Sequence, residues 1–323
     1  MVTAVSLHDS IRTVVRICAR VQPGELVCVA ADTNTLPIAN AIVDAVKEMG
    51  AEPVMVTMSP RRAHGNEPPR VVAAAMKAAD VVIQPVTYAM THTDATQEAL
   101  RAGARVLVLR GITEDIMTHG AMLADYDEVD RVTRELARQM TDAKTVRVRT
   151  PSGTNLSMSV AGRGAVALTG RVGGPGTFAA MPDGEAAISP VEGTAEGVLV
   201  VDHTMDNLGL LDTPIRMTVR AGRVVAIEGG SSAKTLREMV AASDANATNI
   251  AEFAIGTNDR ARLVGSMTED KKLRGSVHVA IGDNHVIGGT VVSELHLDGL
   301  LLRPTVELDG RTVVVDGRLL IGG

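Results

Sequence analysis

The chain has 323 residues, a net charge of −6 and 45% hydrophobic residues. This length and composition predict a folded protein with a substantial core and room for two domains. The negative charge and an aromatic content of only 1% argue against nucleic-acid binding. Phosphate backbones need basic surfaces, and single-stranded bases stack on aromatic rings. We therefore expect no nucleic-acid partner and a core of aliphatic side chains.

The N-terminal residues do not resemble a secretory signal, because polar residues interrupt the apolar positions: His8, Asp9, Arg12 and Arg16. No apolar run approaches the roughly 20 residues that a membrane helix needs. We expect no membrane association and a cytoplasmic protein. The two cysteines, Cys18 and Cys28, are interpreted as free buried thiols, since a disulfide framework needs more cysteines.

Strand and helix patterns alternate over the first 140 residues. Strands are predicted at residues 26–30, 53–57, 81–85 and 105–109. Helices are predicted at residues 36–49, 69–79, 93–102 and 126–140. Because helices that alternate with short buried strands cover both faces of a parallel sheet, residues 1–144 are predicted to form an α/β domain.

The pattern changes to short β-strands after residue 150. Two hairpins are predicted, one from residues 217–219 and 224–227, the other from residues 305–308 and 312–315. A single helix is predicted at residues 233–242. We predict that residues 145–323 form a β-rich α+β domain.

The segment His296-Leu297-Asp298 is the most informative one for chemistry. Residues two apart in a strand point to the same face, so the imidazole and the carboxylate emerge side by side. This arrangement suits two ligands of one metal ion, or a histidine that a carboxylate orients. A surface pair on an edge strand is the simpler explanation of the motif alone.

Three further segments carry candidate ligands. His278 lies in an apolar strand pattern, where a histidine is most often a satisfied core residue. Glu252 also lies in an apolar strand pattern, and a buried carboxylate is rare unless it is paired or binds metal. Glu185 alone is explained equally well as a loop acid. Together the five residues offer oxygen and nitrogen ligands that suit Zn, Mn, Co or Fe, with enough carboxylate for two ions.

These segments resemble the aminopeptidase T family of metallopeptidases, also called M29 or thermophilic aminopeptidases. The resemblance is carried by four motifs: Pro182-Asp183-Gly184-Glu185, Glu252-Phe253-Ala254-Ile255-Gly256-Thr257-Asn258, Gly275-Ser276-Val277-His278-Val279-Ala280-Ile281-Gly282 and His296-Leu297-Asp298-Gly299. Its specific part covers residues 182–310, and weaker similarity covers nearly all of the chain.

The resemblance implies a metal centre held by two Glu, two His and one Asp, which match Glu185, Glu252, His278, His296 and Asp298. It also implies an α/β N-terminal domain, a β-rich metal domain and a homodimer. The expected function is a metallohydrolase with two Zn, Co or Mn ions that cleaves an amide or C–N bond in a short peptide or small molecule. Glu185 or Glu252 would serve as the base.

One feature departs from the peptidases, which carry a catalytic Tyr shortly after the position of His278. Here the segment is Gly282-Asp283-Asn284-His285, without a Tyr. His285 is a candidate replacement as proton donor, because imidazole titrates near neutral pH. The alternative explanation is a surface histidine in a loop.

Two other functions remain open from the sequence. A branch of the family resembles a mononuclear-iron 2,5-dihydroxypyridine dioxygenase, in which His278, His296 and Asp298 would hold Fe(II). A binding protein that keeps the fold without the chemistry is the third hypothesis.

Overall fold

The computed structural model describes residues 7–321. Two compact units contain them: one is built from residues up to Glu128 together with Thr169–Asp183, and the other from Val129–Leu168 together with residues from Gly184 onward. The first unit holds a parallel sheet and the second holds antiparallel sheets. The predicted α/β fold class is therefore confirmed.

The α-helices are α1 (Leu7–Arg12), α2 (Leu36–Glu48), α3 (Arg70–Lys77), α4 (Asp94–Arg101), α5 (Glu114–Thr118), α6 (Tyr126–Asp142), α7 (Ser231–Ala242) and α8 (Met267–Asp270). A π-helical segment, Thr13–Cys18, continues α1, and 3-10 turns occur at Gly120–Leu123 and His285–Ile287.

The first strands are β1 (Leu26–Asp32), β2 (Glu52–Met58), β3 (Val81–Val86), β4 (Arg105–Arg110), β5 (Thr145–Arg149), β6 (Asn155–Ser159), β7 (Val166–Leu168), β8 (Phe178–Met181), β9 (Glu185–Ile188) and β10 (Glu196–Val201). The others are β11 (Thr204–Met205), β12 (Gly209–Leu210), β13 (Ile215–Arg220), β14 (Arg223–Glu228), β15 (Ile250–Gly256), β16 (Val277–Gly282), β17 (His296–Leu301), β18 (Thr305–Leu308), β19 (Arg311–Val315) and β20 (Arg318–Leu319).

The first unit contains a five-stranded parallel sheet in the order β2-β1-β3-β4-β8. Every residue of β3 is buried, which explains why this strand is apolar throughout instead of alternating. β8 comes from residues beyond the predicted boundary at 144 and pairs in parallel with β4, with Val106 opposite Phe178. The domain boundary at residue 144 stays a prediction. The two compact units divide the chain at other positions, because the first unit ends at Glu128 and also takes in Thr169–Asp183.

The second unit contains an eight-stranded sheet in the order β14-β13-β10-β6-β5-β18-β19-β20 and a seven-stranded sheet in the order β12-β11-β17-β16-β15-β9-β7. Both predicted hairpins are present, as β13 with β14 and β18 with β19. Apolar residues of both sheets, of α6 and of α7 share one core, exemplified by Val148, Leu136, Leu236 and Phe253. The seven-stranded sheet carries the candidate site.

Both cysteines are free and buried, as predicted. Burial raises the pKa of the Cys28 thiol to about 12, so this thiol is inert at neutral pH. Among residues 7–321, no helix combines the length and the apolar character that crossing a membrane requires.

Candidate metal centre

Polar side chains emerge together from one face of the seven-stranded sheet. Glu252 of β15 and Asp298 of β17 both pair with Ala280 of β16, the strand between them. His296 lies two residues before Asp298, and His278 lies two residues before Ala280. Because paired residues and residues two apart share a face, these four functional side chains point the same way. β17 lies between β11 and β16, so the His-x-Asp motif is on an internal strand, not on an edge strand.

Small residues lie between the polar side chains on this face. Glu185 of β9 pairs with Gly256, and Ala187 of the same strand pairs with Ala254. Ala254 in turn pairs with His278 and is fully buried. A methyl group or a hydrogen at these positions leaves room for the longer functional side chains beside them. Glu185 is therefore a buried strand residue, and the loop-acid explanation is wrong.

The opposite face of the same strands is part of the core. Phe253, Val279 and Ile281 belong to the apolar core cluster. A β-bulge between Ile250 and Glu252 changes the side-chain alternation of β15 at this point. Ile250 pairs with Ile281 on the core face, whereas Glu252, two residues later, lies on the polar face. The bulge thus directs Glu252 into the site.

The possible ligand atoms form two groups that share Glu252. Nε2 of His278 lies 3.1 Å from Oε1 of Glu252, and Nε2 of His296 lies 3.4 Å from Oε2 of the same carboxylate. His296 Nε2 is also 3.2 Å from Oδ1 of Asp298, and His278 Nε2 is 3.9 Å from Oε2 of Glu185. In each group, every one of the three residues offers one possible ligand atom, and these three atoms lie within 4.8 Å of one another. The structure therefore brings all five predicted metal-binding residues together.

A backbone contact sets the orientation of the His296 ring. Its Nδ1 lies 2.7 Å from the carbonyl oxygen of Asp283. Since a carbonyl can only accept, Nδ1 carries the proton and donates it, which leaves Nε2 facing Glu252 and Asp298. Metal-binding histidines are commonly fixed by such a hydrogen bond from the other ring nitrogen.

The cluster favours ionised carboxylates. Burial alone would raise the pKa of Glu252, but contacts with His278 and His296 lower it to about 2. Burial alone would lower the pKa of His296, but the carboxylates of Asp298 and Glu252 raise it well above the usual value. The carboxylates are therefore charged at neutral pH and need positive charge beside them.

Two oxygens in the cluster point to a missing partner. Oε2 of Glu185 and Oδ1 of Asp298 are buried and accept no hydrogen bond from any of residues 7–321. Each is near the Nε2 atom of a histidine, in a different one of the two groups. A buried anionic oxygen is costly unless a cation or donor satisfies it. Imidazole nitrogens and carboxylate oxygens are ligands of Zn, Mn, Co and Fe, so the residues fit a divalent metal.

Two lysines of the cluster were not predicted from the sequence. Lys271 Nζ donates to Oδ2 of Asp298 at 2.6 Å, and Lys272 Nζ lies 2.8 Å from Oε1 of Glu185. The run Glu269-Asp270-Lys271-Lys272 is highly charged, which is the usual signature of a solvated segment. Only the tertiary fold buries these side chains, so no local sequence signal could have identified them.

His285 is not part of either ligand group. Its side chain is 53% exposed, and its Nδ1 lies 2.7 Å from Oδ2 of Asp283. The carboxylate of Asp283 also accepts the Ser293 N–H, so the pair braces the loop between β16 and β17. The role of His285 as a proton donor stays a prediction.

Comparison with known proteins identifies related sequences. The family model described as "NicX: 2,5-dihydroxypyridine 5,6-dioxygenase" matches residues 6–321. A 2,5-dihydroxypyridine 5,6-dioxygenase from Pseudomonas putida KT2440 is 26% identical over 263 residues, which are 75% of this chain and 71% of that protein.

Two solved structures share the fold. The structure of 2,5-dihydroxypyridine dioxygenase from Pseudomonas putida KT2440 has a TM-score of 0.82 at 23% identity and covers 97% of this chain and 96% of its own. AmpT from Thermus thermophilus has a TM-score of 0.71 at 15% identity and covers 97% of this chain and 98% of its own. The fold that the resemblance implied is thereby confirmed.

These matches correct the function predicted from the sequence. Both the family model and the relative are dioxygenases, which are oxidoreductases. The predictions of a metallohydrolase, an aminopeptidase and a metalloprotease are therefore wrong. The physical reason is that the same imidazole and carboxylate ligands serve hydrolytic Zn, Co or Mn and redox-active Fe equally well. The missing Tyr after His278 was the sequence signal against a peptidase.

Proposed function

We propose that this chain, which belongs to the NicX family of 2,5-dihydroxypyridine 5,6-dioxygenases, uses Fe(II) to open the ring of a small dihydroxylated pyridine with O₂. The observation that carries the proposal is the family match over residues 6–321. The buried cluster of imidazoles and carboxylates supports it, because Fe(II) oxygenases use ligands of these two types.

His296 and Asp298 are the proposed core of the iron site, with Glu252 as the third ligand. These three residues supply one group of close donor atoms, and the orientation of His296 leaves Nε2 free to bind. The dioxygenase alternative drawn from the sequence used His278 in place of Glu252. His278 lies in the other group, next to Glu252 Oε1, and is proposed to fix the direction of that carboxylate.

Ferrous iron would supply the one-electron chemistry that allows O₂ to react with an aromatic ring. The residues of the chain bind and orient the substrate. Lys271 and Lys272 give the site positive charge, which favours an acidic aromatic hydroxyl group in its anionic form. Glu185 Oε2, which has no hydrogen-bond partner within the described part of the chain, is a candidate acceptor for the second hydroxyl proton.

Oxygen uptake tests the proposal. Metal-free protein is loaded anaerobically with Fe(II) and given 2,5-dihydroxypyridine, followed by an oxygen electrode and by the ring absorbance. We expect one O₂ consumed per ring lost, since a dioxygenase uses both oxygen atoms on the substrate. His296→Ala is expected to abolish uptake. His119→Ala, which changes an exposed histidine just after α5, is the matched control and is expected to keep it.

Failure would be clear from the same experiment. Folded protein that carries iron but consumes no O₂ with any dihydroxypyridine contradicts the proposal. If His296→Ala consumes O₂ at the wild-type rate, the reaction does not take place at the proposed iron site.

A further inference from the structure

The lysines of the cluster bring positive charge to two of its carboxylates, those of Asp298 and Glu185. Lys271 Nζ lies 2.6 Å from Asp298 Oδ2 and 3.7 Å from Glu185 Oε1. Lys272 Nζ lies 2.8 Å from the same Glu185 oxygen. Their side chains are only 13% and 5% exposed. Lysines are rarely buried to this extent unless they pair with anions, so these charges are built into the site.

The backbone around the lysines is held firmly. Gly256 of β15 lets the lysine segment pass close by, because a Cβ at this position would lie 2.2 Å from the carbonyl oxygen of Leu273. Asp270, which precedes Lys271, is fully buried and accepts hydrogen bonds from Val264 N, Gly265 N and the Thr204 hydroxyl. These contacts fix the backbone that carries Lys271 and Lys272, and so they fix where the two side chains enter the cluster.

Charge balance indicates what these lysines do. Glu185, Glu252 and Asp298 contribute three negative charges, and Asp206, whose carboxylate accepts the N–H of Asp298, contributes a fourth. Two ammonium groups reduce this to a formal charge of −2 when the imidazoles are counted as the neutral rings that metal binding requires. One divalent cation neutralises the cluster, and a second would leave a buried site with excess positive charge.

We propose that Lys271 and Lys272 act as built-in counterions that restrict the cluster to one divalent metal ion. Each ammonium group takes one carboxylate oxygen, of Asp298 and of Glu185, that a second ion would need. Glu185 is thereby kept among the positioning and substrate-binding groups instead of the metal ligands. This inference rests on the proposed binding of a divalent metal at Glu252, His296 and Asp298.

The expected effect is large because unit charges within about 4 Å interact strongly in a buried site. Removing one ammonium group is expected to raise the affinity for a divalent ion by about tenfold or more. Removing both should open the second group of ligand atoms, Glu185, Glu252 and His278, to an ion of its own.

Counting bound Mn²⁺ per chain tests the proposal. Mn²⁺ is titrated into metal-free protein, and the free ion is read by its electron paramagnetic resonance signal. We expect one ion in the wild type and two in Lys271→Met/Lys272→Met. Adding Glu185→Gln to this double variant should return the count to one. Lys234→Met is the matched control, since this exposed lysine lies on α7, near Glu238 and outside the cluster, and its count should stay at one.

Two results would overturn the inference: two ions in the wild type, or one ion in a folded double variant. If the double variant does not fold, the single variants decide, and an affinity for Mn²⁺ that is unchanged or weaker than in the wild type overturns the proposal. The measurement needs neither O₂ nor substrate. A wild type that binds one Mn²⁺ but consumes no O₂ would contradict the dioxygenase function and leave this inference standing.

Discussion

The two faces of the seven-stranded sheet carry different tasks on the same strands. One face of β15 and β16 presents Phe253, Val279 and Ile281 to the core, and the other presents Glu252 and His278 to the metal cluster. Adjacent residues in the chain therefore contribute to different properties. Replacements on the core face should change stability and leave metal binding intact, while replacements on the polar face should weaken metal binding.

The largest effect is expected on the core face. Phe253→Ala removes a fully buried ring and should lower the free energy of unfolding by about 3–5 kcal/mol. The protein that remains folded should still bind metal with the wild-type stoichiometry. Phe178→Ala is a suitable control, because this phenylalanine is 45% exposed and should cost much less. Urea unfolding and metal analysis of the same samples measure both properties. Loss of metal from folded Phe253→Ala would break the separation of the faces.

The next effect is expected one residue away on the polar face. Glu252→Ala removes the carboxylate that both ligand groups share, so metal affinity should fall by at least about 100-fold. The metal-free protein should also lose some stability at pH 7, because the lowered pKa of Glu252 means that its charge, beside His278 and His296, stabilises the folded state. Isothermal titration with Mn²⁺ and thermal unfolding of the metal-free protein test the two statements. Wild-type affinity in this variant would exclude Glu252 as a ligand.

A smaller effect is expected from filling the space between ligands. Ala280 pairs with both Glu252 and Asp298 and is fully buried. Ala280→Val adds two methyl groups there and should weaken metal binding about tenfold, at a cost of about 1–3 kcal/mol in stability. Val279→Ala on the core face should lower stability to a similar extent but keep the wild-type affinity. Equal affinities in the two variants would contradict the role given to the small residues.

The smallest effect concerns a carboxylate outside the cluster. Burial would raise the pKa of Glu192, but hydrogen bonds from Thr290 and Asn284 and the charge of Arg163 lower it to about 2. A lowered pKa in the folded state stabilises the protein at pH values above the usual range of a glutamate, and this contribution is lost as the pH falls toward 2. Glu192→Gln should therefore cost about 1 kcal/mol at pH 7.

The pH dependence of that difference is the informative measurement. The gap in unfolding free energy between wild type and Glu192→Gln should be constant from pH 7 to about pH 5 and shrink at lower pH. Glu228→Gln, at a 68% exposed side chain, should show almost no gap. A gap for Glu192→Gln that does not change with pH would mean that its charge is not the stabilising feature.

The strand and helix patterns predicted much of the fold because each depends on local alternation. The strands at residues 26–30 and 81–85 and the hairpin around residue 221 are present as predicted. β8 was not anticipated as a member of the parallel sheet, because its pairing with β4 joins segments about 70 residues apart and leaves no local periodic signal.

The candidate site also contains residues that the sequence could identify and residues that only the fold brings into it. Glu252 was recognisable because a carboxylate is unexpected in an apolar strand, and His296 with Asp298 because their spacing puts both on one face. Glu185 and His278 became candidates only together with these residues and through the family resemblance. Lys271 and Lys272 were not recognisable, since their burial depends on the close approach that Gly256 permits and on the contacts of Asp270. The choice between hydrolysis and oxygen chemistry could not be made from ligand types that serve both.

The bulge in β15 makes the polar face sensitive to the length of the chain. Ile250 faces the core and Glu252 faces the cluster because one extra residue, Ala251, interrupts the pairing with β16. Deleting Ala251 would restore regular pairing and exchange the two directions on one side of the deletion. Either Glu252 would turn into the apolar core, or the residues before it would turn out of it. A single-codon deletion could thus remove a ligand while every ligand residue remains in the gene, and homologous genes that differ in length here should be compared by register and not by residue identity alone.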